Sequence, residues 1–165
     1  MKYASGSALV AIVTIAALQA NAKISLEDTA QTSFDIGGEI AAECKVSNAT
    51  SDNATSLDLS NASAQTAGTL SVWCNTGQNV ADTTYSSANN GFLIDESGNQ
   101  IAYNINVGDQ ANSLSLSSPQ TVQQANGTGT GGDSEATDVA IIPQVNGFES
   151  SGSYSDTISV TVTYN

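Results

Sequence analysis

The sequence predicts an all-β chain folded as two antiparallel sheets packed face to face. Apolar and polar residues alternate with a period of two in several stretches, and no stretch beyond residue 22 sustains a 3.6-residue apolar period. Clusters of Gly, Asn, Asp and Ser separate those stretches, as turns between short strands require. The chain also holds two cysteines, Cys44 and Cys74, and carries the marks of export. An even count in an oxidising compartment reads as one disulfide, here tying two strands together.

The elements follow in chain order. Lys2, an apolar run from Ala8 to Leu18 and the small-x-small triplet Ala20-Asn21-Ala22 have the layout of a secretory signal peptide over residues 1–22. The run is too short and interrupted for a spanning helix, which needs roughly 20 apolar residues. No later stretch suits one either, so direct membrane insertion is not expected. Cleavage after Ala22 leaves 143 residues, one domain's worth. It also leaves only Lys23 and Lys45 against 16 acidic side chains, a net charge of −14. Such a surface repels phosphates, which excludes nucleic acid and anionic lipid as partners.

Residues 23–43 form an N-terminal extension, and 44–165 the domain proper. In the extension, Thr32, Phe34, Ile36, Gly38 and Ile40 alternate with Ser33, Asp35, Gly37 and Glu39. That is a strand with one apolar face. By periodicity alone, the plainer reading makes it the first strand of its own sheet. Cys44 to Ser47 reads as a short strand pinned by the disulfide to Gly68–Asn75, where Leu70, Val72 and Cys74 share one face and Trp73 takes the other. The loop closed by that disulfide, about 30 residues long, contributes on the order of 3–4 kcal/mol. Leu57 and Leu59 are a weaker strand signal.

Gly91–Ile94 and Ile101–Val107 read as a hairpin across the turn Asp95-Glu96-Ser97-Gly98-Asn99, with Ile101, Tyr103, Ile105 and Val107 on one face. Ala125–Ser134 is a loop. Ala136–Val145 is a strand, with Pro143 marking its end or an edge position. In the last strand, Ile158, Val160, Val162 and Tyr164 alternate with Ser159, Thr161 and Thr163. An immunoglobulin-like sandwich needs seven strands, and about six can be counted after Cys44. The expectation is therefore an incomplete immunoglobulin-like sandwich lacking its last strand. An open groove and an unpaired edge would remain, and the segment around Phe34 would serve as a donor strand for a neighbour.

Catalysis and metal binding find little support. The chain has no histidine, the pair Asp95 and Glu96 sits in a turn, and neither Lys23 nor Lys45 has a nucleophile motif around it. Two isolated thiols lack the further ligands that zinc needs. Gly127 to Asp133 is a single unrepeated glycine-rich stretch, more often a loop than a calcium site. Asn48, Asn53, Asn61 and Asn126 head glycosylation-type triplets that a chain this rich in Asn, Ser and Thr produces by chance. No enzyme activity, cofactor or metal is expected.

On these residues the chain resembles the subunits of chaperone–usher pili. The five inward positions before the first cysteine, with glycine fourth, match Thr32, Phe34, Ile36, Gly38 and Ile40. A glycine fourteenth from the end and a penultimate tyrosine match Gly152 and Tyr164. The ending from Gly152 to Tyr164 and the hairpin from Gly98 to Ile105 are similar to the spore coat U domain group, which includes the Csu-type archaic pilins. The resemblance implies a stalk subunit of a surface pilus, exported through the periplasm and polymerised by donor-strand exchange for adhesion and biofilm formation. Its partners would be identical or related pilin subunits, a periplasmic chaperone and an outer-membrane usher. The acceptor groove would lie beside Gly152, Ile158, Val160, Val162 and Tyr164. Burying Phe34, Ile36 and Ile40 there would contribute roughly 5–9 kcal/mol, while Gly38 would allow close backbone approach and stepwise exchange. Lys23 to Gln31 is longer than a donor strand requires. The alternative is a secreted monomeric β-sandwich, a coat or carbohydrate-binding protein, in which Trp73 and the tyrosines offer a sugar platform.

Overall fold

The computed structural model describes residues 31–78, 80–125 and 135–164. The expected signal peptide, residues 23–30 of the extension and the glycine-rich stretch 127–133 lie outside the described residues. The chain divides into two units, one ending at Glu39 and the other beginning at Ile40. In the first, residues 31–39 carry no strand, and the side chains of Phe34 and Ile36 are 85% and 87% exposed.

Among its described residues the second unit holds nine strands: β1 (Cys44–Thr50), β2 (Gln65–Cys74), β3 (Val80–Ser87), β4 (Phe92–Ile94), β5 (Gln100–Val107), β6 (Ala111–Ser115), β7 (Gln120–Ala125), β8 (Glu135–Pro143) and β9 (Ile158–Thr163). They form two antiparallel sheets. One runs β1-β2-β8-β5-β4, with β6 also paired to β5; the other runs β7-β3-β9. The all-β sandwich predicted from the alternation is the observed fold.

Strand β5 shows why. Ile101, Tyr103, Ile105 and Val107 are buried, and Ala102, Asn104 and Asn106 between them are half-buried. Such a strand needs a sheet on both flanks, and β5 has one. β8 pairs with it over Tyr103–Val107, while β4 and then β6 take the opposite edge. The β4–β5 turn is closed by Asp95, whose Oδ1 accepts from the Ser97 and Asn99 amides at 2.9 and 2.7 Å. Gly98 takes the left-handed φ of 83° that this turn requires. The Asn99 side-chain amide holds the Asp95 carboxyl below its ordinary range, so the carboxylate flagged in the sequence has a use in the turn. Pro143 ends β8 opposite Tyr103, and the next residue supplies the last rung to β5, the Gln144 amide donating to the Ala102 carbonyl at 2.8 Å.

The expected count of about six strands is corrected to nine among the described residues. Strand β3 escapes notice because Tyr85 is the one bulky residue on its buried face, Ala81 and Thr83 being small. Strands β6 and β7 are built of Asn, Ser, Gln and Thr with few large apolar side chains. Leu57 and Leu59 are corrected too. They lie in the β1–β2 connection, not in a strand, and pack against the core from there.

The predicted disulfide joins Cys44 to Cys74, which are also direct partners in the β1–β2 register. Replacing both by Ser should cost about 3–4 kcal/mol, read as a lower denaturation midpoint with an unchanged β-sheet spectrum.

Candidate functional site

Two strands lie at sheet edges on the same flank of the sandwich. Among the described residues, β1 pairs only with β2, and β9 pairs only with β3. Between them runs an open groove with a cavity of about 370 Å³. Its walls are Asn48 to Thr50 of β1 and Ile158 and Val160 of β9; its floor includes Leu70, Tyr85, Tyr103 and Ile141. A second cavity of about 280 Å³, formed by Leu57, Leu59, Leu93 and Gly152 to Asp156, lies beyond the start of β9.

The walls are apolar and partly open to solvent. In β9, Ile158, Val160 and Val162 alternate inward as the sequence predicts, yet all three are only half-buried. Val46, on the Cys44 face of β1, is 41% exposed although its register partner Val72 is fully buried. Apolar side chains that pack against the core on one side therefore meet solvent on the other, leaving an apolar strip along the groove. Gly68 sits at a bulge in β2, where a Cβ would collide with the Ala49 carbonyl oxygen, so only glycine lets the two strands close there.

The start of β9 is fixed by a polar knot. Asp156 accepts from the Tyr103 hydroxyl at 2.6 Å, the Ser87 hydroxyl at 2.5 Å and the Asn89 amide at 3.1 Å. Burial, with Asp156 beside it, pushes the Tyr103 phenol well above its ordinary pKa, so the hydroxyl stays a donor throughout the physiological range. One carboxylate thus ties β5, the end of β3 and the β3–β4 turn to the segment just before β9. Asp156→Ala should cost about 1.5–3 kcal/mol through the lost charged hydrogen bonds, measured as a shift in the urea midpoint. A shift under a few tenths of that range would show that the knot is idle.

The structure brings Ile158, Val160 and Val162 together on one wall. Gly152 lies in the crossing segment before β9, lining the second cavity, where a Cβ would press on the Asp95 carboxylate at 2.9 Å. Tyr164 lies beyond the end of β9 and is half exposed. Thr32, Phe34, Ile36 and Gly38 belong to the N-terminal unit, and Ile40 opens the second. Sequence reasoning did not assign Leu57, Leu59, Leu70 or Asp156 to this site. Trp73 is buried and carries Lys45 Nζ 5.0 Å from its ring centroid, so it offers no open platform to a sugar.

Residues 29–161 match the family described as the Spore Coat Protein U domain. No curated protein matches the chain.

Proposed function

The chain belongs to the Spore Coat Protein U domain family, a structural, pilin-type family associated with chaperone–usher pili, and from that premise we propose that it is a stalk subunit polymerised by donor-strand exchange. One observation carries the reading: an apolar groove bounded by two strand edges that are unpaired among the described residues, in a chain whose residues 32–40 alternate with the period of a strand and carry exposed Phe34, Ile36 and Ile40.

The occupant is the donor segment of another copy. Every pairing in both sheets is antiparallel, so the added strand extends β7-β3-β9 with least disturbance when it runs antiparallel to β9. Thr32 then lies toward Val162 and Ile40 toward Ile158. Nine extended residues span about 30 Å against about 20 Å for the six of β9. The donor therefore reaches past the start of β9 toward Leu57 and Leu59. Before assembly a periplasmic chaperone covers the same groove, and at an outer-membrane usher the next subunit displaces it. The fibre is carried on the cell surface. No bond is made or broken; the process is non-covalent strand replacement.

Surface-sheared material heated in detergent at graded temperatures tests this. Strand-exchanged subunits should run as a ladder of multiples that collapses to one band only at high temperature. A single monomer band at every temperature contradicts the proposal.

A further inference from the structure

Phe148 is the most exposed large apolar side chain among the described residues of the domain. It is 91% exposed, in the connection between β8 and β9, and lines none of the groove cavities. It is held there firmly. Glu149 accepts from the Asn146 and Gly147 amides at 2.6 and 3.0 Å, and the Asn146 side chain accepts from the Phe148 amide at 3.1 Å. An aromatic ring presented on a braced loop loses little entropy on contact with a partner.

The topology says where that loop is. Cys44 pairs with Cys74, Val72 with Glu135, and Asp82 with Thr163, so the starts of β1 and β8, the start of β3 and the finish of β9 share one end of the sandwich. Pro143, Thr50 and Ile158 lie at the other end, and Phe148 with them. Val80, the first residue of β3, is an exposed apolar side chain at the Cys44 end. The two ends thus carry unlike apolar features, as a head-to-tail contact between copies uses.

The connection from donor strand to body leaves little room for anything else. Ile40 is the last inward donor position, and the next residue is already fastened to its own domain. Asn75 Nδ2 donates to the Ala41 carbonyl at 2.7 Å, and Asn75 Oδ1 accepts from the Glu43 amide, also at 2.7 Å. One residue of extended chain spans about 3.3 Å. With Ile40 seated near the start of β9, the donor's Cys44 end must abut the acceptor's Phe148 end.

We propose that the Phe148 loop is a second subunit–subunit contact, docking on the Cys44 end of the next copy near Val80 and setting how stiffly consecutive subunits are joined. This rests on the donor-strand reading and goes beyond it, because strand exchange alone asks nothing of residue 148.

The test replaces Phe148 with the photo-reactive aromatic p-benzoylphenylalanine in the full chain, assembles fibres, irradiates them and maps cross-linked peptides by mass spectrometry. The expected result is a cross-link from position 148 to the first residues of β1 or β3 of another copy. In parallel, Phe148→Ser fibres keep the heat-labile ladder but bend more sharply in electron micrographs. Cross-links confined to the same chain or to the outer face of a sheet, with a normal ladder, overturn the contact while leaving strand exchange intact. No ladder from the parent chain overturns both.

Discussion

Phe34→Asp should abolish fibres and leave a subunit that still accepts a strand. Phe34 is 85% exposed in the chain and is the largest of the proposed donor side chains. Seating it in the groove of another copy, as proposed, would contribute about 1.5–3 kcal/mol. The aspartate reverses the sign, because a carboxylate enters an apolar groove where, among the described residues, no lysine or arginine lines the wall. At 1.4 kcal/mol per tenfold change, losing the phenyl term alone slows or weakens exchange roughly tenfold or more, before the charge is counted. Added peptide spanning residues 31–42 with the natural sequence should still bind the variant, since its own groove is untouched. Fibres of normal length from Phe34→Asp would end the donor-strand interpretation.

What could be read ahead of the structure was whatever bulky residues announce. Strand β5 was legible because Ile101, Tyr103, Ile105 and Val107 are large and the intervening residues are not. Strand β9 was legible for the same reason. Strand β3 was not, since Ala81 and Thr83 are buried in it although neither is a bulky apolar residue, and alternation among small side chains leaves a faint pattern. The groove was half legible. Its β9 wall follows from period two, but Leu57 and Leu59 reach the core from a loop and mimic a weak strand. The knot at Asp156 joins residues 53 and 69 positions away, Tyr103 and Ser87, and no local signature connects groups so distant in sequence. The disulfide was readable because two cysteines allow a single pairing.

A chain that carries a second copy of residues 31–42 after its last residue, joined by a short Asn-Gly type turn, should be a stable monomer that neither accepts a strand nor polymerises. The turn lets the appended segment fold back as a hairpin antiparallel to β9, the direction in which the sheet already grows. Ordering the segment costs about 1–2 kcal/mol per residue in backbone entropy, so burial of Phe34, Ile36 and Ile40, at about 5–9 kcal/mol, does not suffice by itself. The balance comes from the other side of the interface, where Val46, Ile158, Val160 and Val162 stop meeting solvent, and from ladder hydrogen bonds of about 0.5–1.5 kcal/mol each. Because the groove is part of the same chain, no translational freedom is lost on filling it. The melting temperature should rise by about 10 °C or more, since each kcal/mol is worth roughly 2–8 °C in domains of this size range. The same appendage carrying Asp at the position that copies Phe34 should give back most of that rise. An appended chain that melts where the parent melts, and still forms ladders, would mean that the groove between β1 and β9 is not where the donor segment binds.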